Sequence, residues 1–334
     1  MLKKSLLALL IAGSGLVAGD RISGAGASFP APLYFDWAYE YQKVTGNQVN
    51  YQSIGSGGGI KQISKRTVNF GASDKPLKPK QLDKKRLYQF PAVIGSIVAA
   101  YNIPGIKDNE LKLENKDLAD IFLGKIEYWD DKRIKEDNPS LNLPHKKITV
   151  VRRSDGSGTT FNFSYFLSHV SDEWKNNVGI GKSLDWPVGL GGKGNEGVSS
   201  LIAQTPYSIG YIEYSYKLRN NLSAAVLQTK SGKWVEANEE NFKAAAKYAK
   251  WSPKEHFYQI LALQPGDNSY PIVAATFILL PREATQMNRK VTAFFDWAFR
   301  NKDDSAKRLG YIPLPEETKN MIRAYWKEHG IEPK

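Results

Sequence analysis

Three times along the chain, a β-like segment gives way to a helical pattern through a turn rich in glycine, serine and threonine. The turns read GAGASFPAP (24–32), IGSGGGIKQ (54–62) and SDGSGTT (154–160). Strands that alternate with helices in this way predict a mostly parallel sheet with helices on its faces. This alternation restricts the chain to the α/β class.

The local pattern around the first two turns is clear enough to place elements. An apolar-periodic helix is predicted over 32–45, opening near a proline and closing at a glycine. A strand over 48–54, a second helix over 58–67 and a strand over 68–72 follow. The first part of the chain therefore reads as repeated β-α-β units.

Two long apolar runs, 90–104 and 270–281, are bounded by prolines and lie far apart in the sequence. Each is long enough to leave one sheet and enter another, so we expect them to cross between two domains. This expectation divides the chain into a discontinuous lobe I, 20–91 plus 275–334, and an inserted lobe II, 92–274.

The first nineteen residues have two lysines, a short apolar stretch and small residues at the expected cleavage site, which is the pattern of a secretory signal peptide. We expect cleavage after Ala18 or Gly19 and a mature protein in the periplasm. The alternative is an N-terminal membrane anchor. The chain contains no cysteine, so disulfides, thiol nucleophiles and cysteine-bound zinc are excluded.

The net charge of +12 allows a nucleic acid, an anionic surface or an anionic ligand as partner. No lysine and arginine cluster with interleaved aromatic residues is present, and no nucleic-acid motif occurs. We therefore expect no nucleic-acid partner. Most of the lysines are interpreted as a solvated surface.

The stretch RRSDGSGTT (152–160) lies between a predicted strand and a predicted helix. A helix start presents unpaired backbone N–H groups and the positive end of the helix dipole, which together favour an anion. Arg153 adds a fork of donors that matches phosphate or carboxylate oxygens, and Asp155 is interpreted as its partner. A plain helix cap with a surface arginine is the alternative for this turn alone. The two similar turns, with Ser28 and Phe29 before one helix and Ser56 before another, favour a shared anion site.

Asp74 follows a predicted strand, and a carboxylate near three anion-seeking turns would repel a fully ionised anion. It suits an anion that carries a proton, because the P–OH of phosphate can donate to it and sulfate has no proton to give. The alternative is an aspartate that caps its own turn together with Ser73.

Catalysis is poorly supported by the sequence. The four histidines show no metal spacing, none lies beside a candidate serine, and neither GxSxG nor a nucleotide-binding loop is present. We expect no catalytic residue, no metal and no cofactor. Two alternatives stay open: a secreted phosphatase or hydrolase that uses Ser157, and a receptor for sulfate, molybdate or an organic anion.

The motifs, in order, resemble those of the periplasmic phosphate-binding protein of the high-affinity ABC phosphate importer. The resemblance covers about residues 22–326. The matching segments are GAGASFPAP, YQSIGSGGGIKQI, VNFGASDKPL, VVRRSDGSGTT, NNVGIGKSLDWPVGLGGKGNEGV, IGYIEY and FFDWA. The chain departs from the family pattern at two places. Position 28 is serine where threonine is frequent, and residues 55–59 read GSGGG where GSSGG is common. Both departures keep a hydroxyl at the ligand position.

The resemblance implies a class II periplasmic-binding-protein fold: two lobes with mixed, mostly parallel sheets, joined by two crossover segments. It also implies inorganic phosphate in the cleft and delivery to the membrane permease subunits of the importer. We expect arsenate to compete and the protein to be a monomer. The implied phosphate contacts are Ser28, Phe29, Ser56, Asp74, Arg153, Ser157, Gly158 and Thr159, with Asp155 supporting Arg153.

Overall fold

The computed structural model describes residues 19–334. The predicted signal peptide, apart from Gly19, lies outside the described residues. The strands of the described part are β1 (Arg21–Gly26), β2 (Gln48–Ser53), β3 (Phe70–Ser73), β4 (Leu87–Asn102), β5 (Thr149–Arg153), β6 (Leu190–Gly192), β7 (Ser208–Glu213), β8 (Ser223–Ala224), β9 (Leu227–Gln228), β10 (Trp234–Val235) and β11 (Val273–Pro281).

Most strands are followed by helices, as the β-α alternation predicts. The helices are α1 (Ala31–Thr45), α2 (Gly55–Ser64), α3 (Pro79–Lys85), α4 (Asn115–Phe122), α5 (Lys132–Asp137), α6 (Gly158–Val170), α7 (Asp172–Asn177), α8 (Gly194–Gln204), α9 (Tyr214–Arg219), α10 (Glu239–Ala246), α11 (Thr285–Asn301), α12 (Asp303–Arg308) and α13 (Glu316–Glu328). A short 3₁₀ turn covers Pro253–Glu255. No helix within residues 19–334 has the length and apolar content to span a membrane.

Nine of the strands form a continuous mixed sheet in the order β2-β1-β3-β11-β4-β7-β5-β6, with β8 paired to β4, and β9 and β10 form a separate two-stranded sheet. The pairs β1–β2, β1–β3, β5–β6 and β5–β7 are parallel, whereas β11 and β4 run antiparallel to their neighbours. The mixed α/β fold that the sequence predicts is confirmed, although antiparallel pairs are as frequent as parallel ones in this sheet because β4 and β11 run against their neighbours.

Strand β4 connects two parts of this sheet. Its segment Leu87–Ser96 pairs with β11, and its segment Ile97–Asn102 pairs with β7. We call the strands β1 to β3, β11 and Leu87–Ser96 the first half-sheet, and the remainder of β4 with β5 to β8 the second half-sheet. In each half-sheet the parallel strands end at the same edge, so the loops after them can meet between the halves.

The core explains why these residues form these elements. Helix α1 begins beside prolines and ends at Gly46, which adopts φ 76° and donates its N–H to the Gln42 carbonyl. Its buried aromatic residues pack against α11, where the Tyr34 and Phe295 rings lie 5.7 Å apart. Strand β4 is buried over nearly its whole length, in keeping with its largely apolar sequence.

The second helix and the strand after it are displaced from their predicted ranges: α2 covers Gly55–Ser64 instead of 58–67, and β3 covers Phe70–Ser73 instead of 68–72. Helix α2 begins at Gly55 rather than at residue 58, so Ser56 lies inside its first turn instead of before the helix. The shift does not separate Ser56 from the predicted site, because the first turn of α2 is the part that faces the second half-sheet. There the Gly57 N–H donates to the Gly156 carbonyl over 2.7 Å.

Candidate functional site

The predicted anion contacts lie at the ends of strands from both half-sheets. Ser28 and Phe29 follow β1, Asp74 follows β3, and Arg153 ends β5. Ser157 is the N-cap of α6, with Gly158 and Thr159 in the first helical turn. All of these residues are buried, as is Ser56. The structure thus brings all eight predicted contacts to one place between the half-sheets.

The start of α6 approaches the first half-sheet closely. A Cβ added to Gly158 would lie 2.5 Å from the Ser56 hydroxyl oxygen and 2.7 Å from the Asp74 Cβ. Only glycine leaves room for this approach. The Ser157 hydroxyl accepts the Thr160 N–H over 2.9 Å, whereas the N–H groups of Gly158 and Thr159 belong to the first turn and have no intrahelical acceptor. These two N–H groups are therefore available to an anion.

The turn after β1 is oriented by two tyrosine hydroxyls. Tyr216 donates to the Ser28 carbonyl and Tyr311 donates to the Phe29 carbonyl, each over 2.6 Å. A trans peptide carries its N–H opposite its carbonyl, so the bond from Tyr216 directs the Phe29 N–H to the opposite side. The predicted main-chain contact at Phe29 is thereby held in a fixed direction.

Arg153 is buried, and its guanidinium donates hydrogen bonds to Asp155 and Thr159. Its Nε and Nη2 atoms donate to the two Asp155 carboxylate oxygens at 2.7 and 2.6 Å, and its Nη1 donates to Thr159 Oγ1 at 3.3 Å. Although burial acts to raise it, the hydrogen bonds and charge of Arg153 hold the pKa of Asp155 below its ordinary value. Asp155 thus keeps its charge and fixes the guanidinium plane.

Asp74 is 2% exposed and does not cap its own turn. The turn is closed by Ser73, whose hydroxyl donates to the Lys75 carbonyl over 2.8 Å. The Asp74 Oδ1 atom accepts from the Thr276 hydroxyl at 2.5 Å, and Oδ2 has a long contact of 3.4 Å with the Ser56 hydroxyl. Oδ2 therefore keeps the capacity to accept a further hydrogen bond.

Burial raises the pKa of Asp74 to about 7, although the Thr276 hydrogen bond and the Arg153 charge oppose the shift. The group can therefore be ionised or protonated near neutral pH. The single positive charge of Arg153 lies near two carboxylates, Asp155 and Asp74, so the side chains of the site carry no net positive charge. Backbone N–H groups and hydroxyls must supply most of the stabilisation of a bound anion.

The two half-sheets are held together by hydrogen bonds around the site. Asn162 on α6 donates to the Asp74 carbonyl over 2.8 Å, and Ser53 at the end of β2 donates to Glu196 on α8 over 2.7 Å. Together with the bond between Gly57 and Gly156, these contacts give the closed arrangement of the cleft. The site is enclosed rather than open to solvent.

Two residues at the site are not among the predicted contacts. Thr276 lies on β11 and its hydroxyl is the partner of Asp74, 202 residues away. Asn195 lies at the start of α8 and bonds to the hydroxyl oxygens of Ser28 and Thr159. The sequence signal for Asn195 is its place after glycines at a strand-to-helix turn, in GLGGKGNEG. Nothing local marks Thr276, which is embedded in an apolar strand.

Comparison with known proteins gives consistent relatives over nearly the whole chain. The sequence profile of the PBP superfamily domain matches residues 14–302. The phosphate-binding protein PstS of Haemophilus influenzae is 50% identical over 329 residues, covering 98% of each chain. PstS of Pasteurella multocida is 51% identical over 325 residues, covering 96% of this chain and 94% of the relative. A crystal structure of a phosphate binding protein from Stenotrophomonas maltophilia has the same fold, with a TM-score of 0.67 and 17% identity, and the match covers 92% of this chain and 94% of that one.

Proposed function

The chain belongs to the PBP superfamily and, within it, to the PstS phosphate-binding proteins, and on this premise we propose that it is a phosphate receptor. It binds inorganic phosphate outside the cytoplasm and delivers it to the permease of an ABC importer. The relatives are named for phosphate binding rather than for catalysis. The function is therefore transport of a ligand that leaves chemically unchanged.

The observation that carries this proposal is a buried carboxylate among many donors. Asp74 has one oxygen, Oδ2, with spare capacity to accept, and it faces a site otherwise lined by N–H and O–H groups. Phosphate at neutral pH keeps a P–OH that can donate to this oxygen. Sulfate would present an acceptor to an acceptor, which leaves two buried oxygens unpaired.

The proposed contact set follows from the same geometry. Donation to the phosphate oxygens is assigned to main-chain N–H groups at Phe29, Gly158 and Thr159, to the Arg153 guanidinium and to hydroxyls. The hydroxyls are those of Ser28, Ser56, Ser157 and Thr159. Hydrogen bonds that involve a charged group contribute about 1.5–3 kcal/mol each. Three or four of them, less the costs of desolvation and closure, suffice for roughly −8 kcal/mol, the value of micromolar binding.

Delivery requires that the permease distinguish loaded from empty receptor. The proposed contacts come from both half-sheets, so an open cleft cannot satisfy the anion fully and ligand binding favours closure. The interhalf hydrogen bonds at Gly57 and Asn162 support such a closed state. We infer that the permease recognises the closed shape.

We also propose the lobe division expected from the sequence, lobe I as 20–91 plus 275–334 and lobe II as 92–274, with one amendment. The change of β4 from β11 to β7 after Ser96 supports the first crossover. The His256 carbonyl accepts from Gln89, and Phe257 packs against Tyr325. We therefore assign the segment around Phe257 to lobe I, before the predicted boundary at 274.

The cellular setting is part of the proposal. The family is periplasmic, and export by the predicted signal peptide with a monomeric mature protein would suit a receptor that shuttles to a permease. The hydrolase alternative has no supporting observation: Ser157, its required nucleophile, uses its oxygen to cap α6. A receptor for fully ionised anions is disfavoured by Asp74.

Titration calorimetry with phosphate, arsenate and sulfate tests the function. We expect phosphate to bind with micromolar or tighter affinity, arsenate to compete because it is also a protonated tetrahedral oxyanion, and sulfate to bind far more weakly. A chromogenic phosphate ester should show no turnover. Equal affinity for phosphate and sulfate, or ester hydrolysis that is lost on Ser157→Ala, would overturn the proposal.

A further inference from the structure

Asn195 is fully buried at the start of α8 and connects the two half-sheets at the site. It lies in the second half of the cleft, whereas Ser28 lies in the first. Its side chain has three hydrogen bonds, all to groups at or next to the site. Because all three side-chain hydrogen bonds of this buried asparagine go to these groups, they fix the relative positions of those groups.

The direction of the Asn195 amide is determined by its surroundings. Its Oδ1 accepts the backbone N–H of Glu213 at the end of β7 over 2.9 Å. A flipped amide would oppose an NH₂ group to that N–H, so the nitrogen must lie on the other side. There its two hydrogens reach Ser28 Oγ at 2.9 Å and Thr159 Oγ1 at 3.2 Å.

These bonds decide which way the two hydroxyls can act. Ser28 Oγ accepts from both the side chain and the backbone N–H of Asn195, the latter over 3.0 Å. Thr159 Oγ1 accepts from Asn195 and from Arg153 Nη1. A hydroxyl has two acceptor sites and one hydrogen, so each oxygen has its acceptor sites filled. Each hydroxyl can then only donate to a further partner.

We propose that Asn195 is a positioning residue that presets the hydroxyls of Ser28 and Thr159 as donors to the bound oxyanion. Both hydrogens of its own amide are used, so it acts through the hydroxyls and not by touching the anion. Because Ser28 and Asn195 lie on opposite sides of the cleft, the preset state of Ser28 forms only on closure. This inference rests on the proposed phosphate-binding function.

Calorimetric titration of phosphate against Asn195→Ala and Asn195→Asp tests the role. We expect a loss of affinity of about tenfold for N195A, the scale of one net hydrogen bond, and a larger loss for N195D. The aspartate has the same shape but only accepts, so it would turn both hydroxyl hydrogens away from the anion. A role in packing alone predicts the reverse order. Asn138→Ala is the matched control, because Asn138 is buried with three side-chain bonds away from the site and its loss should leave phosphate affinity unchanged.

The new charge in N195D would itself repel an anion, so a double-mutant cycle with Ser28→Ala supplies a second readout. If Asn195 acts through Ser28, N195A lowers affinity less in the Ser28→Ala background than in the wild type. Multiplicative effects in that cycle, or a smaller loss for N195D than for N195A, would overturn the role. Asn195→Ser replaces N195A in the cycle should N195A fail to fold. Wild-type protein titrated in parallel separates the two failures, because absent phosphate binding there refutes the proposed function itself.

Discussion

Replacing Asp74 with asparagine should weaken the preference for phosphate over sulfate. In the wild type, Oδ1 accepts from Thr276 and Oδ2 is left to accept the P–OH of phosphate. Asparagine has the same shape and can keep the Thr276 bond through its oxygen. Its NH₂ group then takes the place of Oδ2 and donates to an unprotonated oxygen, which sulfate offers as readily as phosphate.

The size of the effect follows from two changes. Phosphate loses an accepting group that is charged, a bond of about 1.5–3 kcal/mol. Sulfate gains a neutral hydrogen bond of about 1 kcal/mol and is relieved of an opposed buried charge. These two contributions add to about 2.5–4 kcal/mol before the relieved charge is counted, and each 1.4 kcal/mol is tenfold. The ratio of the two affinities should therefore fall by about a hundredfold or more.

The assay is calorimetric titration with both anions at pH 8 and pH 6, on either side of the Asp74 pKa of about 7. Protonated Asp74 can donate a hydrogen bond, as the amide of asparagine does, so the wild-type ratio of phosphate affinity to sulfate affinity should be smaller at pH 6 than at pH 8. The same ratio should change less with pH in Asp74→Asn. Asp117→Asn is the control, because burial also raises the pKa of Asp117, to about 6, but it lies on α4. An affinity ratio at pH 8 that Asp74→Asn leaves unchanged would refute the reasoning.

Three further substitutions test other parts of the site and fold. Arg153→Ala should weaken phosphate binding by a hundredfold or more in calorimetry, because it removes a buried charged donor and leaves the carboxylates of Asp155 and Asp74 without their cation. Arg152→Ala at the neighbouring position should leave the affinity unchanged, and wild-type affinity in Arg153→Ala would contradict the role of Arg153 as a phosphate donor. Gly158→Ala places a Cβ 2.5 Å from the Ser56 hydroxyl oxygen, which should prevent the two halves of the cleft from closing. Small-angle scattering should then show no compaction of this variant when phosphate is added. Compaction equal to that of the wild type would show that closure does not need the close approach at Gly158. Burial raises the pKa of the Glu213 carboxyl well above its ordinary value, so the folded state binds the proton more tightly and the wild-type free energy of unfolding should fall as pH rises above the ordinary carboxyl pKa of about 4.3. Glu213→Gln should reduce that slope in denaturant titrations, and an identical slope would show that Glu213 does not stay protonated on folding.

The sequence was sufficient for the fold class and for the site residues that lie in local motifs. Prolines and glycines mark the ends of α1, and the glycine and hydroxyl turns mark where strands meet helices. The start of α2 differs from the predicted one because GSGGG has poor intrinsic helix propensity. In the folded chain a Cβ on Gly57 would lie 3.1 Å from the Gly156 Cα, so contact with the opposite half-sheet requires these glycines.

The parts that local patterns could not predict depend on distant pairing. Thr276 is an isolated polar residue in an apolar strand, and its role follows only from the antiparallel packing of β11 beside β3. Asn195 lies in the glycine-rich turn GLGGKGNEG, whose local pattern does not indicate which distant residues it contacts. Its bond to Ser28, 167 positions away, arises from the closed cleft, and its bond to Thr159, 36 positions away, forms within the second half of the cleft.

The most direct test of the central claim is a crystal structure of the protein with phosphate bound. The account predicts a phosphate oxygen within about 2.5–2.7 Å of an Asp74 carboxylate oxygen, the distance of an O–H···O⁻ hydrogen bond. An Asp74 side chain that turns away from the anion, or a separation beyond hydrogen-bond range, would contradict it.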